Sequence, residues 1–242
     1  MPNTMVPTTG TDKLWVLSGS FTNTVKSSVD VSGMDANPHG ITYDDTDLFF
    51  CGKNSSKLWR ISGTTSATVK VSLSTAGIRT DPMGMGWNGT DTMWTSEAAV
   101  VGLFLQSGKF SATLKSSTDI SGLDTSIRGA GCDGESTIFP GGVNDKVWRL
   151  SGFLTNTIKD SQDISGIHAG GYNGASFTDE DFMFTGYSGI NGLWRVSGKL
   201  TSTVKDSVDI TAIDTNPGDI THDPASERLG IGGAFTPTAV IF

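Results

Sequence analysis

The stretch KVWRLSG (Lys146–Gly152) decides how this chain is read, because it is one of five close copies. The others are KLWVLSG (Lys13–Gly19), KLWRISG (Lys57–Gly63), GLFLQSG (Gly102–Gly108) and GLWRVSG (Gly192–Gly198). Their serines, Ser18, Ser62, Ser107, Ser151 and Ser197, are spaced by 44, 45, 44 and 46 residues. Self-similarity at this period marks a repeat architecture, and about 40–45 residues are enough for the four strands of one propeller blade.

A second segment follows each copy: NTVKSSVDVSG (Asn23–Gly33), ATVKVSLSTAG (Ala67–Gly77), ATLKSSTDISG (Ala112–Gly122), NTIKDSQDISG (Asn156–Gly166) and STVKDSVDITA (Ser202–Ala212). Its period-2 alternation is that of a strand with one wet side, the outer strand of a blade. One lysine recurs in it, at Lys26, Lys70, Lys115, Lys159 and Lys205. A charge there is expected to protect a solvated edge from pairing with other sheets.

A third segment, such as PHGITYDDTDLFFCG (Pro38–Gly52) or PMGMGWNGTDTMWTS (Pro82–Ser96), reads as a hairpin: a short strand, a turn rich in Asp, Asn and Gly, then an apolar strand. Its first strand carries a small-residue column, Thr42, Gly86, Gly131, Gly171 and Thr221, expected at the crowded axis. The next column is Tyr43, Trp87, Cys132, Tyr172 and His222. The expected fold is therefore all-β, a five-bladed β-propeller of four-stranded antiparallel blades over residues 13–242, with residues 1–12 an N-terminal extension. N-terminal strands should join the last blade and close the ring, which removes an open seam. KLWVLSG and the terminal AVIF (Ala239–Phe242) then compete for one third-strand position.

Net charge is −8 with 17 basic residues spread through the repeats, so no nucleic-acid or membrane-surface role is expected. The start MPNTMVPTTG has neither the basic nor the apolar region of a cleaved export signal, and no apolar run approaches the ~20 residues of a membrane span. Cys51 and Cys132 fall at non-equivalent repeat positions without a CxxC spacing, which predicts buried free thiols rather than a disulfide or zinc site.

The bare repeat, P-x-G-I-x-(Y/W)-(D/N)-G-T-x-x-x-W followed by K-L-W-R-(I/L)-S-G, resembles the short repeats of β-propellers, and among them repeat proteins of tailed bacteriophages. That resemblance implies a virion component, a capsid decoration, tail or fibre protein, with no catalytic residues to carry over. Its partners would be other virion proteins, copies of itself or a host surface glycan.

Trp15, Trp59, Phe104, Trp148 and Trp194 could each stack on a sugar, as in lectin propellers, but mid-strand positions among apolar neighbours favour packing at blade seams. Arg60, Arg149 and Arg195 are expected to pair with outer-strand aspartates or neighbouring carbonyls. His39, Met83, Arg128 and His168 align at the mouth of the inner strands, and with Asp35, Asp124 and Asp214 on the preceding loops they form a candidate binding rim. The rim lacks three matched ligands for a metal, and no cofactor is expected. Carboxylates in YDDTD (Asp44, Asp45, Asp47) and TDEDF (Asp179, Glu180, Asp181) fall in turns, where Asp is favoured for its own backbone hydrogen bonds. No nucleophile elbow, P-loop or HExxH occurs, and the chain reads as non-enzymatic.

Overall fold

The computed structural model describes the chain apart from residues 1, 2, 20, 21, 65, 98–100, 169, 179, 187–190, 214, 215 and 224–242. All regular structure among the described residues is β. The N-terminal strands are β1 (Asn3–Thr8), β2 (Lys13–Ser18) and β3 (Val25–Asp30). Blade one follows as β4 (Pro38–Tyr43), β5 (Asp47–Gly52), β6 (Lys57–Ser62) and β7 (Val69–Ser74). Blade two is β8 (Pro82–Trp87), β9 (Thr92–Ser96), β10 (Gly102–Gln106) and β11 (Leu114–Asp119). Blade three is β12 (Gly131–Cys132), β13 (Thr137–Pro140), β14 (Lys146–Leu150) and β15 (Ile158–Asp163). Blade four is β16 (Tyr172–Phe177), β17 (Phe182–Gly186), β18 (Gly192–Val196) and β19 (Val204–Asp209). These four blades run inner to outer in chain order with antiparallel pairing, and with blade five they form a five-bladed β-propeller.

Blade five joins both ends of the chain. Its inner strand is β20 (Thr221–Asp223), which lies against β1, and β1, β2 and β3 complete the sheet. The junction is held by a Thr8–Pro217 bridge and by Gly218 N–H donating to the Pro7 carbonyl at 2.8 Å. Residues 3–8, set apart in the sequence reading as part of an extension, are thus the second strand of this blade, and every one of them is buried. They have neither alternation nor a repeat signature, and they include Pro7, a residue that strand interiors disfavour. KLWVLSG supplies the third strand; AVIF lies outside the described residues.

The core is divided among the seams. Met5, Leu14, Ile41 and Phe50 lie in the cluster between blades five and one, and Phe49, Leu58, Met85 and Trp94 between one and two. Leu103, Ile127 and Phe139 fill the next seam, Ile138, Tyr172 and Phe184 the one after. Val6, Leu17, Met183 and Ile220 close the last, between four and five. Each blade therefore depends on its two neighbours for burial, which is why a ring of these sheets is stable where a single sheet would not be.

The outer strands share a device absent from the sequence reading. In all five blades the register slips by one residue against the third strand, and the bulged residue is the repeat lysine: Lys26, Lys70, Lys115, Lys159 and Lys205. A bulge re-aims a side chain and blunts an edge. Lys70, Lys115 and Lys205 consequently reach back over the sheet to Asp47, Asp91 and Asp181 at 2.6–2.7 Å. In these three blades the expected free edge charge is an ion pair, and in all five the edge is blunted by the bulge itself.

Candidate functional site at one end of the channel

The inner strands converge on the axis at Gly40, Gly84, Gly129 and Gly174. A Cβ on any of them would sit 2.5–2.6 Å from the backbone of the next blade. Only glycine permits this approach. Blade five breaks the column with Asp219, whose carboxylate occupies the space that four absent side chains leave. Its Oδ1 accepts N–H donors from Ala175 (2.8 Å) and Ile220 (2.9 Å), and its Oδ2 those of Ile41 and Met85 (both 3.2 Å). Four blades are tied to one buried side chain. Burial pushes this carboxyl well above the usual carboxylate range, against the four N–H groups that favour its charge.

At the end where the inner strands begin, the channel is filled. His39, Met83 and Asn173 are buried around Arg128, which bonds Glu97 at 2.9 Å and the Asn173 side-chain oxygen at 3.3 Å. Burial, with the positive charges of Arg128 and Lys53, pushes His39 down to about 3, so its ring is neutral at ordinary pH. His39, Met83 and Arg128 do come together as the sequence placed them. His168 does not join them, and its place is taken by Asn173, because blade four is framed differently. Its inner strand is read from Gly174, so Ser176 and Phe177 occupy the positions expected of Gly171 and Tyr172. The segment HAGGYNGASF contains several glycines in suitable positions, and packing against blades three and five selects among them.

His168 belongs instead with Asp35 and Asp124. Each has its N–H on the carbonyl four residues earlier: Val31, Ile120 and Ile164. The two aspartates are buried and tie loops together, Asp35 accepting from Asn37 and Ser55 N–H, and Asp124 from Ser126 and Asn144. His168 packs its ring 4.8 Å from Trp194. These three are loop anchors rather than a displayed rim. Asp214 lies outside the described residues.

The aromatic column is at the seams. Trp59 packs against the cluster between blades five and one, Trp15 against that between four and five, and Trp148 against that between two and three, while Phe104 and Trp194 are core members. Lysines two residues earlier, Lys13, Lys57 and Lys146, lie over Trp15, Trp59 and Trp148 at 5.2–5.5 Å. Arg60 pairs with Asp47 at 2.6 Å on its own second strand. Arg149 takes Asp133 at 2.6 Å as well as the outer-strand Asp160, and Arg195 lies between Asp206 and Asp181. Asp44 and Asp133 cap their own turns, accepting N–H groups two and three residues on. Burial works to raise Asp47, Asp91, Asp133 and Asp181, and their lysine, arginine and N–H partners outweigh it, leaving all four below the usual range.

Open space lies at the other end of the channel, where the inner strands finish. A cavity of about 370 Å³ is built there in three layers. Ile41, Met85, Ala130, Ala175 and Ile220 lie at its base, directly beyond Asp219, with their side chains packed in the five seam clusters. Above them Thr42, Gly86, Gly131, Ser176 and Thr221 form a neck of small residues with three hydroxyls, and Tyr43, Trp87, Cys132, Phe177 and His222 form the wall. Asp45, Asp133, Thr178 and Lys199 stand at the rim. The volume falls within the ~300–1,000 Å³ typical of small-molecule sites. Both cysteines are free, Cys51 buried and Cys132 half-buried in this wall with its thiol pushed up to about 12 by burial, so neither is a ready nucleophile. Most of the wall column was visible in the sequence. What the sequence withheld was which end of the channel stays open.

No protein family and no curated protein matches the chain. Solved structures do. A chain in a nidogen/laminin complex superposes with a TM-score of 0.61 at 11% identity, covering 92% of this chain and 98% of that one. A Bacteroides caccae protein of unknown function gives 0.56 at 9% identity, covering 91% and 98%. Myxococcus xanthus glutaminyl cyclase gives 0.55 at 13% identity, covering 72% and 77%. At these identities the likeness is one of fold. No helix among the described residues is long and apolar enough to cross a membrane.

Proposed function

We propose that the protein is a non-enzymatic interaction module, and that its place is the virion of a tailed bacteriophage, as a capsid decoration, tail or fibre component. The observation that carries the non-enzymatic reading is the fate of the recurring carboxylates. Asp47, Asp91, Asp133 and Asp181 each hold a lysine or arginine and have lowered pKa values. A general acid would need the opposite, a raised and unpaired carboxyl facing a cleft. What remains is a rigid ring of five self-supporting seams, suited to presenting its faces to other chains. The virion placement is supported by the resemblance of the bare repeat to phage repeat proteins. Mass spectrometry of purified particles should find the chain at stoichiometric copy number, and its absence from particles made in cells that express it would overturn the placement.

A second reading, a glycan-binding propeller, is favoured by the cavity rather than by the tryptophan column. Trp15, Trp59 and Trp148 pack against three separate seam clusters, and none of them lines the cavity.

A further inference from the structure

We infer that the cavity at the finishing end of the channel is a binding site for a single neutral sugar ring, the terminal residue of a glycan. The inference rests on the glycan-binding reading and gives it one site per molecule instead of one per blade.

Three features select the ligand. First, the cavity pairs polar with aromatic lining: a neck bearing the Thr42, Ser176 and Thr221 hydroxyls, and a wall that includes Tyr43, Trp87 and Phe177. A pyranose has the matching character, with apolar C–H faces and a girdle of hydroxyls, whereas a purely apolar ligand would strand the neck hydroxyls. Second, charges described at the mouth are already held by one another: Asp44 pairs with Lys109 at 2.8 Å, and Asp133 with Arg149 at 2.6 Å and Lys199 at 3.2 Å. Groups paired in this way hold a charged ligand weakly. Third, the wall is fixed in advance. Trp87 is stacked with Phe49 at 6.1 Å and lies under Lys109 at 5.6 Å, and Phe177 packs on Phe182 at 5.2 Å. Little side-chain order has to be created on binding.

The chain has six tryptophans, and Trp87 alone lines the cavity. Nitrogen-15 spectra of the indole groups therefore report the site and the fold together. Methyl glycosides of glucose, galactose, mannose, N-acetylglucosamine and N-acetylgalactosamine would be titrated to roughly 50 mM, since one sugar ring is expected to bind with a Kd near the millimolar range. At least one should move the Trp87 resonance saturably and leave the other indoles in place, while N-acetylneuraminic acid and tetramethylammonium should not. Cys132→Phe, which fills the cavity, should weaken binding at least tenfold, and Lys159→Ala on an outer strand should leave it unchanged. Should Cys132→Phe disturb the other five indoles, Trp87→Phe, read by saturation transfer to the sugar protons, takes its place with a several-fold loss expected. The inference is overturned if no neutral glycoside shifts Trp87, if a charged probe shifts it more strongly, or if blocking or altering the wall leaves the titration intact. Particle mass spectrometry does not involve the cavity, so either proposal can fail without the other.

Discussion

Two kinds of buried aspartate hold this ring, and they work in opposite ways. Asp47, Asp91 and Asp181 sit at the start of second strands, each paired with the bulged lysine of its own blade, and their carboxyls are lowered. Asp219 sits alone on the axis, bonded to backbone N–H groups of blades one, two, four and five, and its carboxyl is raised. The first kind recurs in blades one, two and four, where it binds the outer strand to the inner half. The second occurs once because the axis has room for one carboxylate, and only where four glycines leave the space. Strengthening within a blade is thus modular, whereas the side-chain ties across the axis converge on one residue.

Breaking the central member should have the largest effect. Asp219→Ala leaves four buried N–H groups without their acceptor, each worth about 1–3 kcal/mol if unsatisfied, less whatever water entering the channel recovers. A loss of about 3–5 kcal/mol in urea unfolding is expected. Asp219→Asn keeps one acceptor oxygen but turns an NH2 toward N–H donors, and should cost about 2 kcal/mol.

Asp47→Ala comes next. It removes the shared partner of Arg60, Lys70 and the Gly63 N–H, contacts that lie within one blade. Lys70 and Arg60 are partly exposed and can rehydrate, so about 2–3 kcal/mol is expected. The same comparison predicts a pH signature. A carboxyl lowered in the folded state contributes stability that is present above its unfolded value, near 3.9, and is lost as pH falls through the folded value. Asp47, Asp91, Asp133 and Asp181 act in this direction, and Asp219, being raised, acts against them, its cost being relieved in acid. The urea midpoint of the parent should fall below about pH 4. It should fall less steeply in Asp47→Ala, whereas Asp219→Asn should abolish the gain in stability that the parent shows as pH falls toward 4 and Asp219 takes up its proton.

The sequence carried the architecture because five copies of one pattern, a tryptophan-type strand, a period-2 outer strand and a hairpin, repeat at a blade-sized period. Its departures were less legible. Blade four is framed by contacts with its neighbours, so local alignment of HAGGYNGASF set Gly171 and Tyr172 where Ser176 and Phe177 belong. The strand NTMVPT lacks any repeat signature and is identified only by what it pairs with. Asp219, by contrast, was open to view: PHGI, PMGM, IRGA and YNGA share a glycine that PGDI replaces. A polar residue breaking a column of glycines at the axis marks the position where the channel is divided, and hence which end remains hollow.

The lysines give the finest test of the comparison, because blade five carries the same bulge with a different partner. Lys70 meets the charged Asp47, whereas Lys26 meets the neutral side-chain oxygen of Asn3 at 3.3 Å. Lys70→Met keeps the bulge and the aliphatic stem but leaves Asp47 with Arg60 as its remaining cation, and about 0.5–1 kcal/mol should be lost, in the range of partly exposed ion pairs. Lys26→Met should cost only a few tenths of a kcal/mol. Salt should shrink the first difference and leave the second unchanged, since screening acts on the pair of charges and hardly on a charge–dipole contact. Equal losses in the two blades, or equal responses to salt, would mean that the bulge rather than the aspartate gives the repeat lysine its value.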